Sequence, residues 1–157
     1  MRHAKSDWNN PNQTDFERPL NKRGRLAAPR IGALMRAENL IPALIVSSPA
    51  TRAAETARLV AAAANFDCET RFEPRIYEAT AGDLFEVARE LPERFDRVLL
   101  VGHNPGFEDL LRALTGEIRA MPTAALARVE LDIDDWQSAN FNCGKLIDLF
   151  EPKKLTQ

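Results

Sequence analysis

Two short apolar segments, residues 43–46 and 97–101, each run directly into a helix-start signal. The first is followed by Ser48 and Pro49, which are typical of an N-cap and a first helical position. The second is followed by Gly-His-Asn-Pro-Gly at 102–106. Strands that alternate with helices require crossover connections, which make the strands parallel and cover both faces of the sheet. We therefore predict an α/β fold of three layers with a mostly parallel central sheet.

Hydrophobic periodicity and capping residues predict the remaining elements. Asn21 caps a helix over residues 22–39, and Pro29 inside it predicts a kink. The other helices are expected from Pro49 to about residue 64, over 83–91 and from 106 to Gly116; further strands are expected over 69–73, 127–133 and 145–150, the last two near a sheet edge.

Length and composition favour one domain over residues 1–157, since a chain of 157 residues with 45% hydrophobic residues can bury a core unaided. The mean hydropathy of -0.33 and the lack of a long apolar run exclude a membrane span. The polar start excludes a secretory signal, and Cys68 and Cys143 lie far apart. We expect reduced thiols in a cytoplasmic protein without membrane contact.

Basic side chains concentrate at the start of the chain. Residues 1–36 carry eight lysines and arginines against three acidic residues, although the net charge is -2. This distribution argues against a nucleic-acid partner and indicates an anion bound at one place. The two histidines, His3 and His103, are too few for a histidine metal cluster. We expect neither a metal nor another cofactor.

Ligands of parallel sheets bind where strands end and helices begin, which is where Arg52 and His103 are expected. An imidazole such as that of His3 can attack phosphorus and form a transient phosphohistidine. Guanidinium groups and a second imidazole suit the equatorial oxygens of a transferring phosphoryl group, and nearby helix N-termini add N–H donors. These residue types together point to phosphoryl chemistry.

Four ordered motifs resemble a known family. Residues 2–9, Arg-His-Ala-Lys-Ser-Asp-Trp-Asn, resemble the Arg-His-Gly-Glu-Ser-x-Trp-Asn opening of the histidine phosphatase superfamily, and residues 47–53 and 102–105 match its second and third motifs. Further segments are similar to the SixA-type phosphohistidine phosphatases: residues 18–20 with Gly24, residues 77–79 and residues 121–125. The resemblance extends to about residue 152 and implies a phosphoglycerate mutase-like fold.

The resemblance also implies roles for individual residues. His3 would be the nucleophile, and Arg2, Arg52 and His103 would complete the phosphate pocket. Four residues would contact or frame the substrate: Ser6, Asn9, Arg18 and Asn104.

The general acid is the least defined role. Glu78 follows a strand-like segment and is the candidate proton donor for the leaving group. However, an imidazole leaving group, with a reference pKa of about 6.5, departs more easily than an alkoxide. A dedicated acid is therefore unnecessary if the substrate is phosphohistidine.

The spacing of the motifs leaves no room for a helical cap over the site, because only 25 residues lie between Arg52 and Glu78 and only 24 between Glu78 and His103. An open site favours a phosphohistidine on another protein, such as a phosphotransfer domain in signal transduction, with inorganic phosphate as product. The alternatives are a broad small-molecule phosphomonoesterase with the same site and a non-catalytic phosphoresidue-binding module.

The start of the chain departs from the family pattern, in which several apolar residues form a strand before the Arg-His pair. Here polar and charged residues begin at position 2, so the first strand is expected to be truncated. Three explanations are open: residues 1–4 form a partial strand, the gene product begins upstream of Met1, or the protein is only weakly active.

Overall fold

The apolar segments form a parallel sheet at the centre of the computed structural model, which describes residues 1–155. Its strands are β1 (Leu44–Ser47), β2 (Glu69–Phe72) and β3 (Val98–Val101), in the order β2-β1-β3. Strands β4 (Leu126–Leu131) and β5 (Gly144–Phe150) form a separate antiparallel pair. The helices are α1 (Lys22–Ala37), α2 (Thr51–Ala64), α3 (Ala81–Arg89) and α4 (Gly106–Thr115), with single 3-10 turns at Pro74–Ile76 and Trp136–Ser138.

Alternate residues of the parallel strands point to opposite faces of the sheet, as pleating requires. Ile45 and Leu99 join the hydrophobic cluster that contains the buried faces of α1 and α2. Leu44 and Val46 join a second cluster with α3 and α4. Helices therefore cover both faces of the sheet, and the predicted three-layer α/β fold is confirmed.

The first three residues lie beside β3 and form a short parallel ladder. The Met1 amine donates to the Leu100 carbonyl at 2.8 Å, the Gly102 N–H donates to Met1 at 3.1 Å, and the His3 N–H donates to Gly102 at 2.9 Å. On the other side, the N–H of Ala124 donates to the His3 carbonyl at 3.0 Å. Of the three explanations for the polar start, this short ladder matches the first, a partial strand at residues 1–4.

An apolar groove of about 630 Å³ separates the two sheets next to Met1. Val98 and Leu100 of β3 line one side, and Leu126 and Val129 of β4 line the other. Residues 1–3 lie between the end of β3 on one side and residues 124–125, which precede β4, on the other, and they form backbone hydrogen bonds to both.

The start of α2 differs from the prediction. The helix begins at Thr51 with Ala50 as its N-cap, two residues later than Ser48 and Pro49 indicated. The Ser48 hydroxyl lies in the turn before the helix, where it accepts the Ala50 N–H at 3.2 Å and contacts His103 Nε2 at 2.8 Å. The hydroxyl is thereby held in the turn between strand and helix.

Two other helix boundaries also moved. Helix α3 begins at Ala81 instead of residue 83, because Thr80 and Asp83 form a reciprocal capping box. Helix α1 continues across Pro29 and ends at Ala37. The remaining elements agree with the predicted ranges to within two residues.

Helices α1 and α2 hold the first residues of the chain in place. A Cβ added to Gly24 of α1 would lie 2.2 Å from the Lys5 carbonyl oxygen, so the helix approaches this backbone as only glycine allows. The Ala4 N–H donates to Thr56 Oγ1 of α2 at 2.9 Å. The two residues that follow His3 are consequently held by contacts to both helices.

Within residues 1–155, none of the helices combines the length and the apolar character needed to cross a membrane. Cys68 and Cys143 are both free and partly buried.

Candidate active site

His3 and His103 lie side by side at the carboxyl edge of the sheet. Their ring centroids are 5.0 Å apart, and each residue is 8% exposed. His103 follows β3 directly, and the pairing of Arg2 with Gly102 brings His3 to the same level. The two histidines thus meet because the first residues of the chain run parallel to β3.

The contacts of His3 fix the position of its ring proton. Its Nδ1 atom lies 2.7 Å from the Ala4 carbonyl oxygen, which can only accept a hydrogen bond, so Nδ1 carries the proton. The Arg52 Nε–H donates to Nε2 at 3.3 Å. Burial, reinforced by the charges of His103 and Arg52, lowers the pKa of His3 to about 3. His3 is therefore neutral at pH 7, with its lone pair on Nε2.

His103 leaves one buried ring nitrogen unpaired. Its Nε2 contacts Ser48 Oγ at 2.8 Å, whereas its Nδ1 and the nearby Arg2 Nε have no hydrogen-bond partner among residues 1–155. Burial, followed by the charge of Arg52, lowers the pKa of His103 to about 4. Buried donors without partners carry a free-energy cost of about 1–3 kcal/mol each, which a bound anion would remove.

Three arginines surround the histidine pair. Arg52 projects from the first turn of α2, as predicted, and both it and Arg18 are buried. Arg18 Nη1 donates to Ser6 Oγ at 2.9 Å, and Arg2 Nη1 donates to the Met121 carbonyl at 2.9 Å. This concentration of guanidinium groups favours an anion with several oxygens.

Sequence reasoning missed Asp15, whose carboxylate joins the site residues. It accepts hydrogen bonds from Arg18 Nη2 at 2.7 Å, Arg52 Nη2 at 2.9 Å and the Tyr77 hydroxyl at 2.9 Å. Partial burial alone would raise the pKa of Asp15, but these hydrogen bonds lower it to about 2. The one available signal was its position three residues before Arg18, a spacing that permits contact within a turn.

The predicted framing residues have different surroundings. Ser6 is buried and holds Arg18, as described above. The Asn104 amide donates to Glu108 Oε1 at 2.7 Å and to the Met121 carbonyl at 3.1 Å, so its N–H groups support the neighbouring loop. Asn9 is exposed, and its backbone N–H contacts Asp7 Oδ1 at 2.9 Å. No side-chain hydrogen bond of Asn9 to the histidines occurs in the described part of the chain.

Glu78 lies at the rim of the site rather than inside it. It is exposed and has a left-handed backbone with φ 54, directly after Tyr77. The Tyr77 ring packs edge-to-face on His103 with centroids 5.5 Å apart. Among residues 1–155, Glu78 itself makes no hydrogen bond to either histidine.

Metal-binding chemistry has no matching arrangement in the described residues. No group of three or more His, Cys, Asp or Glu side chains within residues 1–155 could hold a metal ion. The positive charges of this site are those of Arg2, Arg18 and Arg52, and its negative charge is that of Asp15.

Comparisons with other sequences agree with this geometry. The model of the histidine phosphatase superfamily, branch 1, matches residues 1–101. An uncharacterised protein of Mycobacterium tuberculosis is 29% identical over 166 residues, covering 98% of this chain and all of that protein. An uncharacterised chloroplastic protein of Arabidopsis thaliana is 27% identical over 148 residues, covering 88% of this chain and 68% of the relative.

Solved structures give the same result. The Agrobacterium tumefaciens protein assigned as the phosphohistidine phosphatase SixA is 30% identical, with a TM-score of 0.84 and coverage of 97% of this chain and 95% of that one. The protein histidine phosphatase SixA complexed with tungstate is 25% identical, also with a TM-score of 0.84, covering 99% and 97% of the two chains. The chain belongs to the histidine phosphatase superfamily.

Proposed function

We propose that this protein is a phosphohistidine phosphatase that removes the phosphoryl group from a histidine of another protein through a phospho-His3 intermediate. The observation that carries the proposal is the unprotonated Nε2 of His3. The Arg52 Nε–H donates to it at 3.3 Å, and the His3 and His103 ring centroids lie 5.0 Å apart. The similarity to the A. tumefaciens SixA protein supports the same activity.

In the first step, the Arg52 Nε–H moves from His3 Nε2 to a phosphoryl oxygen, and the freed lone pair on Nε2 forms a bond to phosphorus. The bond from phosphorus to the substrate's imidazole nitrogen breaks, and that nitrogen keeps the bonding pair and takes a proton. The Nδ1 proton of His3 stays on Nδ1 and is donated to the Ala4 carbonyl, which stabilises the positive charge that the ring acquires. Holding the reacting nitrogen in place in this way lowers the entropic part of the barrier.

Charge on the transferring phosphoryl group is stabilised by donors already in place. With the Ser48 hydroxyl donating to Nε2, the unpaired Nδ1 of His103 is an N–H donor for a phosphoryl oxygen. The unpaired Nε of Arg2 and the guanidinium of Arg52 supply further donors. Fixed donors in a buried site stabilise such charge better than water does. Tungstate, a tetrahedral oxyanion, is bound by the related SixA structure, which supports an oxyanion pocket here.

In the second step, a water oxygen attacks phosphorus and the bond to His3 Nε2 breaks. The proton that water releases replaces the one taken up by the leaving imidazole. The net reaction is phosphohistidine plus water giving histidine plus inorganic phosphate. Glu78, which is exposed at the rim of the site, is proposed to donate the proton that the leaving imidazole takes up.

Residues 1–157 are proposed to form a single domain without a helical cap, which leaves the site accessible to a protein substrate such as a phosphotransfer domain. Neither a nucleic acid nor a membrane is part of the proposal. A cytoplasmic location is also proposed and is supported by the two free cysteines.

The test is phosphate release from a phosphohistidine-bearing phosphotransfer domain, compared with a panel of metabolic phosphomonoesters. We expect the phosphohistidine protein to have the highest kcat/KM, with no loss of activity in a chelator. The His3→Gln variant should be inactive, and Glu78→Gln should keep most activity on phosphohistidine while losing more on alkyl phosphates. A strong preference for one metabolite, or oxyanion binding without turnover, would contradict the proposal.

A further inference from the structure

Two exposed aromatic rings stand on the segment that borders the candidate site. Trp8 is 74% exposed and Phe16 is 38% exposed, although both belong to the same loop as the buried Arg18. Exposed aromatic side chains forgo a large burial energy, and aromatic residues are favoured where a protein contacts a ligand or partner. Packing of the hydrophobic core therefore does not explain why these two rings lie here.

Trp8 is fixed by a residue of the phosphate pocket. The Arg18 guanidinium carbon lies 3.4 Å from the centroid of the Trp8 ring, which places the two planar groups in cation–π contact. Arg18 is held in turn by Ser6 and by the Asp15 carboxylate. One face of the indole is thus covered by a fixed cation, while most of its surface remains open to solvent.

Phe16 is held in place by Tyr77 and by the start of α2. Its ring packs edge-to-face on Tyr77 with centroids 5.0 Å apart, and Tyr77 packs in the same way on His103 at 5.5 Å. The Phe16 carbonyl accepts the Thr51 N–H at 3.0 Å, at the start of α2. A series of rings therefore leads from His103 outward to Phe16.

The reaction geometry gives these rings a function. In an in-line transfer to buried His3, the leaving group departs on the side of phosphorus away from His3, toward the exposed rim. The leaving group of phosphohistidine is a planar aromatic imidazole, which is neutral once its nitrogen has taken a proton, and aromatic rings stack favourably on one another.

We propose that Trp8 and Phe16 form a subsite for the leaving imidazole, which makes the site selective for N-phosphorylated heteroaromatic rings. This inference rests on the proposed phosphohistidine activity. It adds that the ring of the leaving group, and not only the reactivity of the P–N bond, determines which substrates are turned over.

Three substrates separate these contributions. Phosphoramidate contains a P–N bond without a ring, N-phosphoimidazole contains the ring without a protein, and a phosphohistidine peptide contains both. We expect Trp8→Ala and Phe16→Ala to lower kcat/KM for the two ring substrates by roughly 2- to 12-fold each, the size of an aromatic contact. Turnover of phosphoramidate should change less than twofold or so.

Two variants serve as controls. Trp8→Phe keeps an aromatic face and should recover most of the activity on the ring substrates. Phe141→Ala removes a ring that is 67% exposed and packs on Phe85 of α3, with centroids 5.3 Å apart, and should change none of the rates.

An equal loss on phosphoramidate would overturn the inference, since Trp8 would then act only by holding Arg18. Loss on the peptide alone would also overturn it, because the rings would then contact the protein around the phosphohistidine. If the wild type hydrolyses phosphoramidate but neither ring substrate, the proposed phosphohistidine activity itself is contradicted.

Discussion

The Nε–H of Arg52 points at the Nε2 atom of His3 from 3.3 Å, while the opposite ring nitrogen of His3 is bound to a backbone carbonyl. A guanidinium in this place opposes protonation of Nε2 and leaves its lone pair as the reactive group. The orientation of the proposed nucleophile is therefore set before any substrate binds.

Asp15 is expected to position the arginines of the pocket. Asp15→Ala removes the contacts to Arg18, Arg52 and Tyr77 and should lower kcat roughly 10- to 100-fold through misplacement of Arg52. Asp15→Asn keeps an acceptor but removes a negative charge, so it should bind vanadate more tightly than the wild type. Steady-state kinetics and vanadate titration measure the two effects. Weaker vanadate binding by Asp15→Asn would argue against the electrostatic part of this role.

Ser48 and Ser47 form a matched pair that separates catalysis from folding. Both are fully buried; the Ser47 hydroxyl donates to the Ser48 carbonyl at 2.9 Å, whereas the Ser48 hydroxyl contacts His103 at 2.8 Å. Each substitution by alanine should lower the free energy of unfolding by about 1 kcal/mol. Only Ser48→Ala should also lower kcat, because it releases the His103 ring. Equal kcat values in the two variants would show that Ser48 does not orient His103.

The histidine pair should make folding stability depend on pH. Burial holds the pKa values of His3 and His103 at about 3 and 4, below the unfolded value of about 6.5. At pH values between the native and the unfolded pKa of each histidine, the unfolded chain binds a proton that the native state does not. The histidine contribution to stability is therefore complete above pH 6.5 and is lost as the pH falls, by up to about 1.4 kcal/mol per pH unit for each histidine.

Urea unfolding at several pH values between 5 and 6.5 measures this slope. His3→Gln and His103→Gln should each remove about half of the histidine contribution. The Met1 amine, whose pKa is lowered to about 5 by burial, adds the same slope to every variant. An unchanged slope in both variants would mean that the two imidazoles are protonated normally in the folded protein.

Gly24 and Gly82 test whether the approach of α1 to Lys5 is required. A Cβ at Gly24 would lie 2.2 Å from a backbone oxygen, so Gly24→Ala should destabilise the protein by about 1–3 kcal/mol. A Cβ added to Gly82 in α3 would lie 3.6 Å from Thr80 Oγ1, an ordinary contact distance, and Gly82→Ala should stabilise by about 0.5–1 kcal/mol. Thermal unfolding compares the two; a neutral Gly24→Ala would contradict the close approach.

Much of the fold could be predicted from the sequence because local signals and tertiary structure agree. The apolar segments at 43–46 and 97–101 are buried strands, and the helices that follow them place Arg52 and His103 at one edge of the sheet. The start of α2 was the exception. There the hydroxyl of Ser48 contacts His103, a residue 55 positions away, and no local pattern reports such a contact.

The site was predictable where motifs defined it and not where tertiary contacts did. Asp15 lies in a loop without periodicity, and its role depends on contacts to Arg52 and Tyr77 from two other parts of the chain. Asn9 matched a motif position, yet it lies exposed in the same loop. The short first strand could be expected from the polar start, but its ladder with β3 depends on three-dimensional pairing.

The most direct test of the proposed mechanism is to trap the phosphoryl group on the enzyme. The protein is mixed with a phosphohistidine substrate, quenched in alkali during turnover, and the phosphorylated peptide is located by mass spectrometry. A base-stable, acid-labile phosphoryl group on His3, absent from His3→Gln, is the predicted result. A phosphoryl group on another residue, or undiminished phosphate release by His3→Gln, would contradict a mechanism through phospho-His3.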